Sequence, residues 1–147
     1  MKRLSPMVAG LAALLWAMPV AAASPTREYA PLPDLIEDTA SCGYLVDVTF
    51  PVNQEYALSF YDNAGNLTRI QTTGHLVVTF TNPANDKSVT ANISGPNRLD
   101  IRNGTFDSFG RGGGPLPNFT GLVLFAGRTG DHGVHGHLFL DVCAALA

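Results

Sequence analysis

Tryptophan, cysteine and basic residues are scarce in this 147-residue chain, and each scarcity excludes something. The single tryptophan, Trp16, lies in an apolar N-terminal run, so the rest of the chain has none and the early Gly-x-Trp of lipocalin barrels is missing. The two cysteines, Cys42 and Cys143, form no CxxC, which removes the redox and zinc motifs built on that spacing. Lys plus Arg number 9 against 12 Asp plus Glu; Lys2 and Arg3 fall in the N-terminal run, leaving 9 − 2 = 7 basic residues and a net charge of 7 − 12 = −5 over residues 24–147, with His neutral. Scattered arginines in an acidic chain do not build the concentrated basic surface that phosphate requires, so no nucleic-acid partner and no anionic-lipid ligand are expected. Nor does any segment carry a helical apolar stripe of useful length, which argues against a helical core.

What is present begins with an address. Lys2 and Arg3 precede an apolar run, Met7 to Ala22, broken only by Gly10 and Pro19, and Ala21-Ala22-Ala23 supplies the small residues a signal peptidase reads. Residues 1–23 are therefore expected to be a cleavable secretory signal, with Ser24 the first mature residue or Ala23 if cleavage follows Ala22. The run is shorter than the roughly 20 residues of a spanning helix, and the first cysteine, Cys42, comes too late for a lipid anchor. The expectation is a secreted, extracellular protein with no membrane attachment after cleavage. It leaves 147 − 23 = 124 residues, enough for one domain with a real core. In an oxidising compartment Cys42 and Cys143 read most economically as one structural disulfide closing a loop of about 100 residues; the competing reading is a pair of free thiols or a metal pair.

Residues 24–41 read as a leader. Ser24 to Pro33 carries three prolines and predicts an extended arm, and Asp34 to Thr39 predicts at most one helical turn. From Tyr44 the hydrophobic period is two. Segments 44–50, 56–60, 76–80, 89–93, 122–125 and 134–141 alternate apolar and polar residues, with weaker candidates at 67–72, 98–102 and 105–109. Turn clusters separate them at 62–66, 83–86, 95–97 and 130–133; Asn103-Gly104 marks a tight hairpin, and Gly112-Gly113-Gly114-Pro115 opens the longest predicted loop. Residues 42–147 are thus expected to form one all-β domain, an antiparallel meander of eight or nine short strands, with a closed barrel favoured over a sandwich because the cysteines flank the first and last strands. One parity conflicts with that: Cys42 alternates with the apolar set Tyr44, Val46 and Val48, whereas Cys143 alternates with His135, His137 and Asp141. Either a cysteine lies outside its strand, with a bulge at Gly43, or the histidines face inward; the first is expected.

Cys42-Gly43, the stretch TFTNPANDKSVTANISGP from Thr79 to Pro96, and the ending DVCAALA from Asp141 to Ala147 resemble a group of small secreted actinobacterial proteins. The resemblance covers most of residues 42–147. It implies a β fold and the same Cys42–Cys143 bridge, and it brings no catalytic or binding residue. The chain carries Asn85-Asp86-Lys87 where that group has Thr-Gly-Lys, and the histidine-rich segment near the end is not part of the shared pattern.

Candidate chemistry is sparse. His132, His135 and His137 are the sharpest feature: two imidazoles two apart on a strand share a face, His132 can fold over them from the turn, and Asp131 or Asp141 can orient one, so the cluster is a weak zinc or copper candidate, with His75 a distant fourth ligand. No HExxH or GxSxG pattern occurs, and Ser94 after a strand is a poor nucleophile candidate. Asp100 and Asp107 flank a hairpin and can face each other as a carboxylate pair. Gly110-Arg111-Gly112-Gly113-Gly114 lacks the Lys-Ser/Thr ending of a phosphate loop. Sequons at Asn66, Asn92, Asn103 and Asn118 follow from Asn-rich turns and Thr-rich strands. No cofactor is expected. The functional expectation is a non-enzymatic extracellular binding or structural module for a small-molecule, cell-wall or protein ligand; the alternative is a metal protein or enzyme built on the histidine cluster.

Overall fold

The computed structural model describes residues 24–116, 119–131 and 133–147; the expected signal, residues 1–23, lies outside the described residues, as do Asn118 and His132. Among the described residues nine strands form one antiparallel sheet: β1 (Thr26–Tyr29), β2 (Leu35–Asp38), β3 (Val46–Tyr61), β4 (Leu67–Asn82), β5 (Lys87–Asn92), β6 (Asn97–Asp100), β7 (Thr105–Gly114), β8 (Val123–Gly130) and β9 (His135–Asp141), followed by a short helix α1 (Val142–Leu146). The path runs β1-β3-β4-β6-β7-β8-β9, with β2 also on β3 and β5 also on β4. No helix of the described residues is long and apolar enough to cross a membrane.

The two strands predicted at 44–50 and 56–60 are one, β3, and those at 67–72 and 76–80 are one, β4. No turn residue separates them strongly enough to break the ladder. Pro51 is accommodated by a register shift between Thr49 and Val52, where its missing N–H breaks no ladder bond. The predicted helical turn at Asp34 to Thr39 is instead strand β2, which pairs with Val46 to Thr49; a single isolated turn cannot offset its nucleation cost, whereas an open ladder edge offers immediate hydrogen bonds. The predicted loop at Gly112 is still strand, because Gly112, Gly113 and Gly114 pair with Phe125, Leu124 and Val123.

The sheet is not closed, which corrects the expected barrel. Closure would require the outer edge of β3 to accept β9. That edge is already taken, by β1 at Tyr56 to Ser59 and by β2 at Val46 to Thr49. The predicted arm fills the position the last strand would have needed.

A sheet without a second layer must bury its apolar face by bending. Val46 and Val48 of β3, and Val78 and Phe80 of β4, pack against Leu122, Leu124 of β8, and Val142 and Leu146 of α1. These strands lie several positions apart in the ladder, so the sheet curves back over itself. The bend follows a row of glycines across the strands: Gly74 in β4, Gly95 between β5 and β6, Gly110 in β7, Gly127 in β8 and Gly136 in β9, with Gly110 opposite Gly127 and Gly127 opposite Gly136. At Gly74, with φ 153°, a Cβ would overlap the carbonyl oxygen of Gln54 and lie 2.6 Å from Glu55 Cα. Only a residue without a side chain permits that approach.

Cys42 and Cys143 form the disulfide, Cα–Cα 5.3 Å, with no free cysteine. Both lie outside strands, Cys42 before β3 beside Gly43 at φ 74° and Cys143 within α1, which resolves the parity conflict as expected. Helix α1 is too short to persist alone. It is held by burial of Val142 and Leu146, both 0 % exposed, each contributing about 1.5–3 kcal/mol. Asp141 caps it by accepting from Ala144 N at 3.0 Å, and the Leu146 carbonyl accepts from Asn82 Nδ2 and Asn85 Nδ2, both 3.0 Å.

Two predictions follow from this bend and its clasp. The bridge closes a 101-residue separation, so replacing both cysteines by Ala lowers unfolding stability by up to about 4–5 kcal/mol; urea titration of the two proteins measures it. Gly74→Ala costs about 2 kcal/mol or more through backbone overlap, and a similar substitution at the open turn residue Gly65, which has nothing within 4 Å of an added Cβ, costs less in the same titration.

Candidate functional site

Opposed residues in antiparallel strands share a face, and so do alternate residues along a strand. Applied to the register, these two rules collect a group of side chains that are dispersed in the chain. Arg27 (β1) opposes Leu58 (β3); Phe60 (β3) opposes Arg69 (β4); Arg69 opposes Asp100 (β6); Arg98 (β6) opposes Asp107 (β7); Phe109 (β7) opposes Arg128 (β8); and Arg128 opposes His135 (β9). This group includes the arginines Arg27, Arg69, Arg98 and Arg128. Three of them lie on aromatic rings: Arg27 over Tyr56 and Arg69 over Phe60, each 3.8 Å from the centroid, and Arg128 over Phe109 at 5.5 Å. Such stacking orients a guanidinium; the edge of Arg128 is taken up by Asp107, and the Nε of Arg69 is buried with no hydrogen-bond partner among the described residues.

Where β6, β7 and β8 meet on this face, a hollow of about 490 Å³ is lined by Arg98, Asp100, Asn103, Thr105, Asp107, Phe109 and Arg128. Asp107 is buried and held two-point by Arg128, Nε to Oδ1 at 3.2 Å and Nη2 to Oδ2 at 2.9 Å. Asp100 accepts from the backbone N–H groups of Arg102 and Asn103, 3.0 and 3.1 Å. The Asn103 bond first, then the Arg102 bond and the nearby Arg98 charge, outweigh desolvation and hold the Asp100 carboxyl below its ordinary value. The Arg98–Asp100 contact is loose, 3.8 Å, and leaves the Arg98 guanidinium half exposed. The predicted carboxylate pair thus shares one hollow, but a general acid needs a carboxyl pushed upward. One carboxylate is held ionised and the other is clamped by a guanidinium, so the hollow presents fixed charges and hydrogen-bonding groups rather than a proton donor.

The histidine cluster does not assemble among the described residues. His135 and His137 stand exposed on β9; His132 lies outside the described residues; and no group of three or more His, Cys, Asp or Glu side chains among the described residues is placed to hold a metal ion. Both acids expected to orient an imidazole have backbone partners: Asp131 accepts from Phe106 N at 2.6 Å, and Asp141 caps α1. His75 is on β4, which β6, β7 and β8 separate from β9 in the ladder. Ser94 repairs the ladder between β5 and β6, accepting from Leu76 N at 2.9 Å and donating to Leu76 O at 3.3 Å. The glycine segment 110–114 is strand, with no following helix to bind an anion. Of the sequons, Asn66, Asn92 and Asn103 are exposed.

A second hollow of about 450 Å³ lies on the other side of β6–β7. Leu76, Ile93, Phe106, Leu116 and Phe125 give it apolar walls, and Asn97, Ser108, Thr129 and Asp131 polar points. The arginines of the first hollow escaped sequence reading because Arg98 lay in a weak strand candidate, Arg128 lay beyond the end of the predicted strand 122–125, and their partners were unknown; the available signal was alternation of charge with Phe or Asp at 98–100 and 107–109. Compared with known proteins, the chain matches no family model, no curated protein and no solved structure.

The structure also reveals a buried acid with no sequence signal. Glu55 sits opposite Gly74 at the bend, 5 % exposed, and its Oε1 has no hydrogen-bond partner among the described residues. Burial pushes its carboxyl above the ordinary value. A raised acid binds its proton more readily folded than unfolded, so its ionisation destabilises the fold as pH rises above the ordinary value. Glu55→Gln should therefore raise the urea midpoint at pH 7, and that gain should vanish as the pH falls below about 4. A midpoint at pH 7 equal to or below that of the parent protein would show that the carboxylate is stabilised by its surroundings.

Proposed function

We propose that the chain is an exported, non-enzymatic binding module whose guanidinium–aromatic face takes an acidic saccharide of the kind found in cell walls and extracellular matrices. Support for export comes from the grammar of residues 1–23, from a disulfide suited to an oxidising compartment, and from the likeness to small secreted actinobacterial proteins. Asp86 fits that likeness: it stands at φ 58°, a conformation comfortable for the Gly that the group carries there.

The observation that carries the ligand class is the convergence of Arg98, Arg128, Asp100, Asn103 and Phe109 on one 490 Å³ hollow within a face of stacked arginines. A sugar carboxylate pairs with the Arg98 guanidinium in two-point fashion. Ring hydroxyls meet Asp100, Asn103 and Thr105, and the apolar face of a sugar ring lies on Phe109. The charge available to an anion is local: Asp107 holds Arg128, whereas Arg98 is in loose 3.8 Å contact with Asp100 and half exposed, so Arg98 is the group that takes the ligand's carboxylate.

Isothermal titration of the disulfide-intact residues 24–147 with sodium polygalacturonate, against neutral dextran as control, tests the reading. Binding to the anionic polymer alone, weakening with salt, is the expected result, and Arg98→Ala should weaken it about tenfold or more, the effect of one charge-assisted pair. Equal affinity for both polymers, or for neither, would overturn it. The apolar walls of the second hollow favour one other reading, a small apolar ligand held beside Phe106 and Phe125. Native mass spectrometry of protein purified from culture medium distinguishes the two by what remains bound.

A further inference from the structure

The interior face of the sheet changes character along its length. Leu76, Val78 and Phe80 alternate on β4 and so share a face. The register carries that face from Thr72 of β4 to Asn97 of β6, from Asn97 to Ser108 of β7, and from Ser108 to Thr129 of β8. Near α1 its positions hold the large apolar side chains of the core. Across β6, β7 and β8 they hold Asn97, Ser108 and Thr129 and, further along β7, Gly112, all too small to fill the interior. The second hollow, about 450 Å³, is the space they leave, with Leu76, Ile93, Phe106, Leu116 and Phe125 around it.

Ser108 and Thr129 are the unusual members of this lining. They are 8 % and 6 % exposed and oppose each other across β7 and β8. Neither hydroxyl has a hydrogen-bond partner among the described residues. Opposed hydroxyls on neighbouring strands can satisfy each other, and Thr79 and Thr90 do so at 2.8 Å. A buried hydroxyl left unpaired is costly, and two of them side by side at the wall of a hollow are accounted for by a third group that enters it. The two charged residues at the hollow, Arg111 and Asp131, are exposed and opposite in sign. The buried part of the lining is therefore uncharged.

We propose that this hollow binds a small uncharged amphiphile, its apolar body against Leu76, Ile93, Leu116 and Phe125 and a single hydroxyl or carbonyl oxygen between Ser108 and Thr129. Each of those hydroxyls both donates and accepts. A carbonyl oxygen there takes two hydrogen bonds, and a hydroxyl gives one and takes one. A charged head would lose its hydration against this lining and gain no buried counter-charge. Apolar walls with a few convergent polar groups are the usual composition of a small-molecule site. The site is independent of the saccharide reading: it lies on the other side of β6–β7 from Arg98, and both hollows can be filled together.

Fluorescence titration of the disulfide-intact residues 24–147 with Prodan tests the proposal with no saccharide present. Prodan is an uncharged naphthalene ketone whose emission moves to shorter wavelength in apolar surroundings. A saturable blue shift is expected, reversed by octanol at lower concentration than by sodium octanoate. Thr129→Val removes one hydroxyl at nearly constant shape and should weaken Prodan binding about three- to tenfold, the effect of one neutral hydrogen bond. It should not lower the urea midpoint, because that hydroxyl has no partner within the fold. A hydroxyl that served the fold alone would give the reverse, a lower midpoint with binding unchanged. Ser108→Leu places a larger side chain in the hollow and should abolish the shift. Circular dichroism with a thermal melt checks that this variant is folded; if it is not, Thr129→Val carries the test. The absence of a saturable shift overturns the proposal. So does a shift that persists unchanged in the folded variants, which would place the probe on the exposed apolar surface, and so does displacement by octanoate as readily as by octanol.

Discussion

The fold depends on a single constraint: one sheet must bury most of its own apolar face, because among the described residues the helical cover is the five-residue α1 alone. Half of β3 and β4 carries Val46, Val48, Val78 and Phe80, and their buried partners among the described residues, Leu122, Leu124, Val142 and Leu146, come from the far end of the chain, with Tyr44, Phe50, Val89, Ile93 and Leu140 packed around them. Meeting that demand requires a sharp bend, and the bend requires glycine wherever neighbouring backbones close on one another. The disulfide and the Asn82–Leu146 contact then hold the curled end in place. The other half of the long hairpin has no such cover. Its residues from Tyr56 to Tyr61 and from Leu67 to Gly74 are half-buried on both faces, and it is there that arginine, aromatic and hydroxyl side chains share the surface.

That division explains where chemistry is concentrated. A carboxylate on a partly solvated sheet persists only if it is paired or capped, and Asp107 and Asp100 are one of each. Arginine is suited to such a surface because its planar group lies along a ring. The result is a rigid array of fixed charges.

Much of this was legible in the residues. Period two at Tyr44 to Phe50 and at Leu76 to Phe80 established the strands, Asn103-Gly104 marked its hairpin, and the spacing of Cys42 and Cys143 located the clasp. What could not be read was pairing. The barrel followed from supposing that the first and last strands were neighbours, and nothing in Thr26–Tyr29 or Leu35–Asp38 shows that these short polar pieces outcompete β9 for the edge of β3. They do so by proximity in sequence: closing a short loop onto β3 costs less entropy than closing one of about 100 residues. The arginine face was hidden for the same reason, since Arg27, Arg69, Arg98 and Arg128 become neighbours only once β1, β3, β4, β6, β7 and β8 are set side by side. The histidines, by contrast, were conspicuous because they are adjacent in the chain; of the three, the described residues include only His135 and His137.

The same competition bears on the edge at the end of the sheet. By occupying β3, the N-terminal strands prevent closure and so create an open strand at β9 that a barrel would not have had. An open edge must be shielded, as β1, β2 and β5 are by proline and charge, or it must be used. β9 leaves Leu138 and Phe139 partly exposed, but it carries a bulge, Phe125 opposing Leu138 and Leu124 opposing Leu140, and such a kink is itself a shield against stray pairing. The two histidines on that strand, His135 and His137, gather no third ligand among the described residues, and His132 lies outside them.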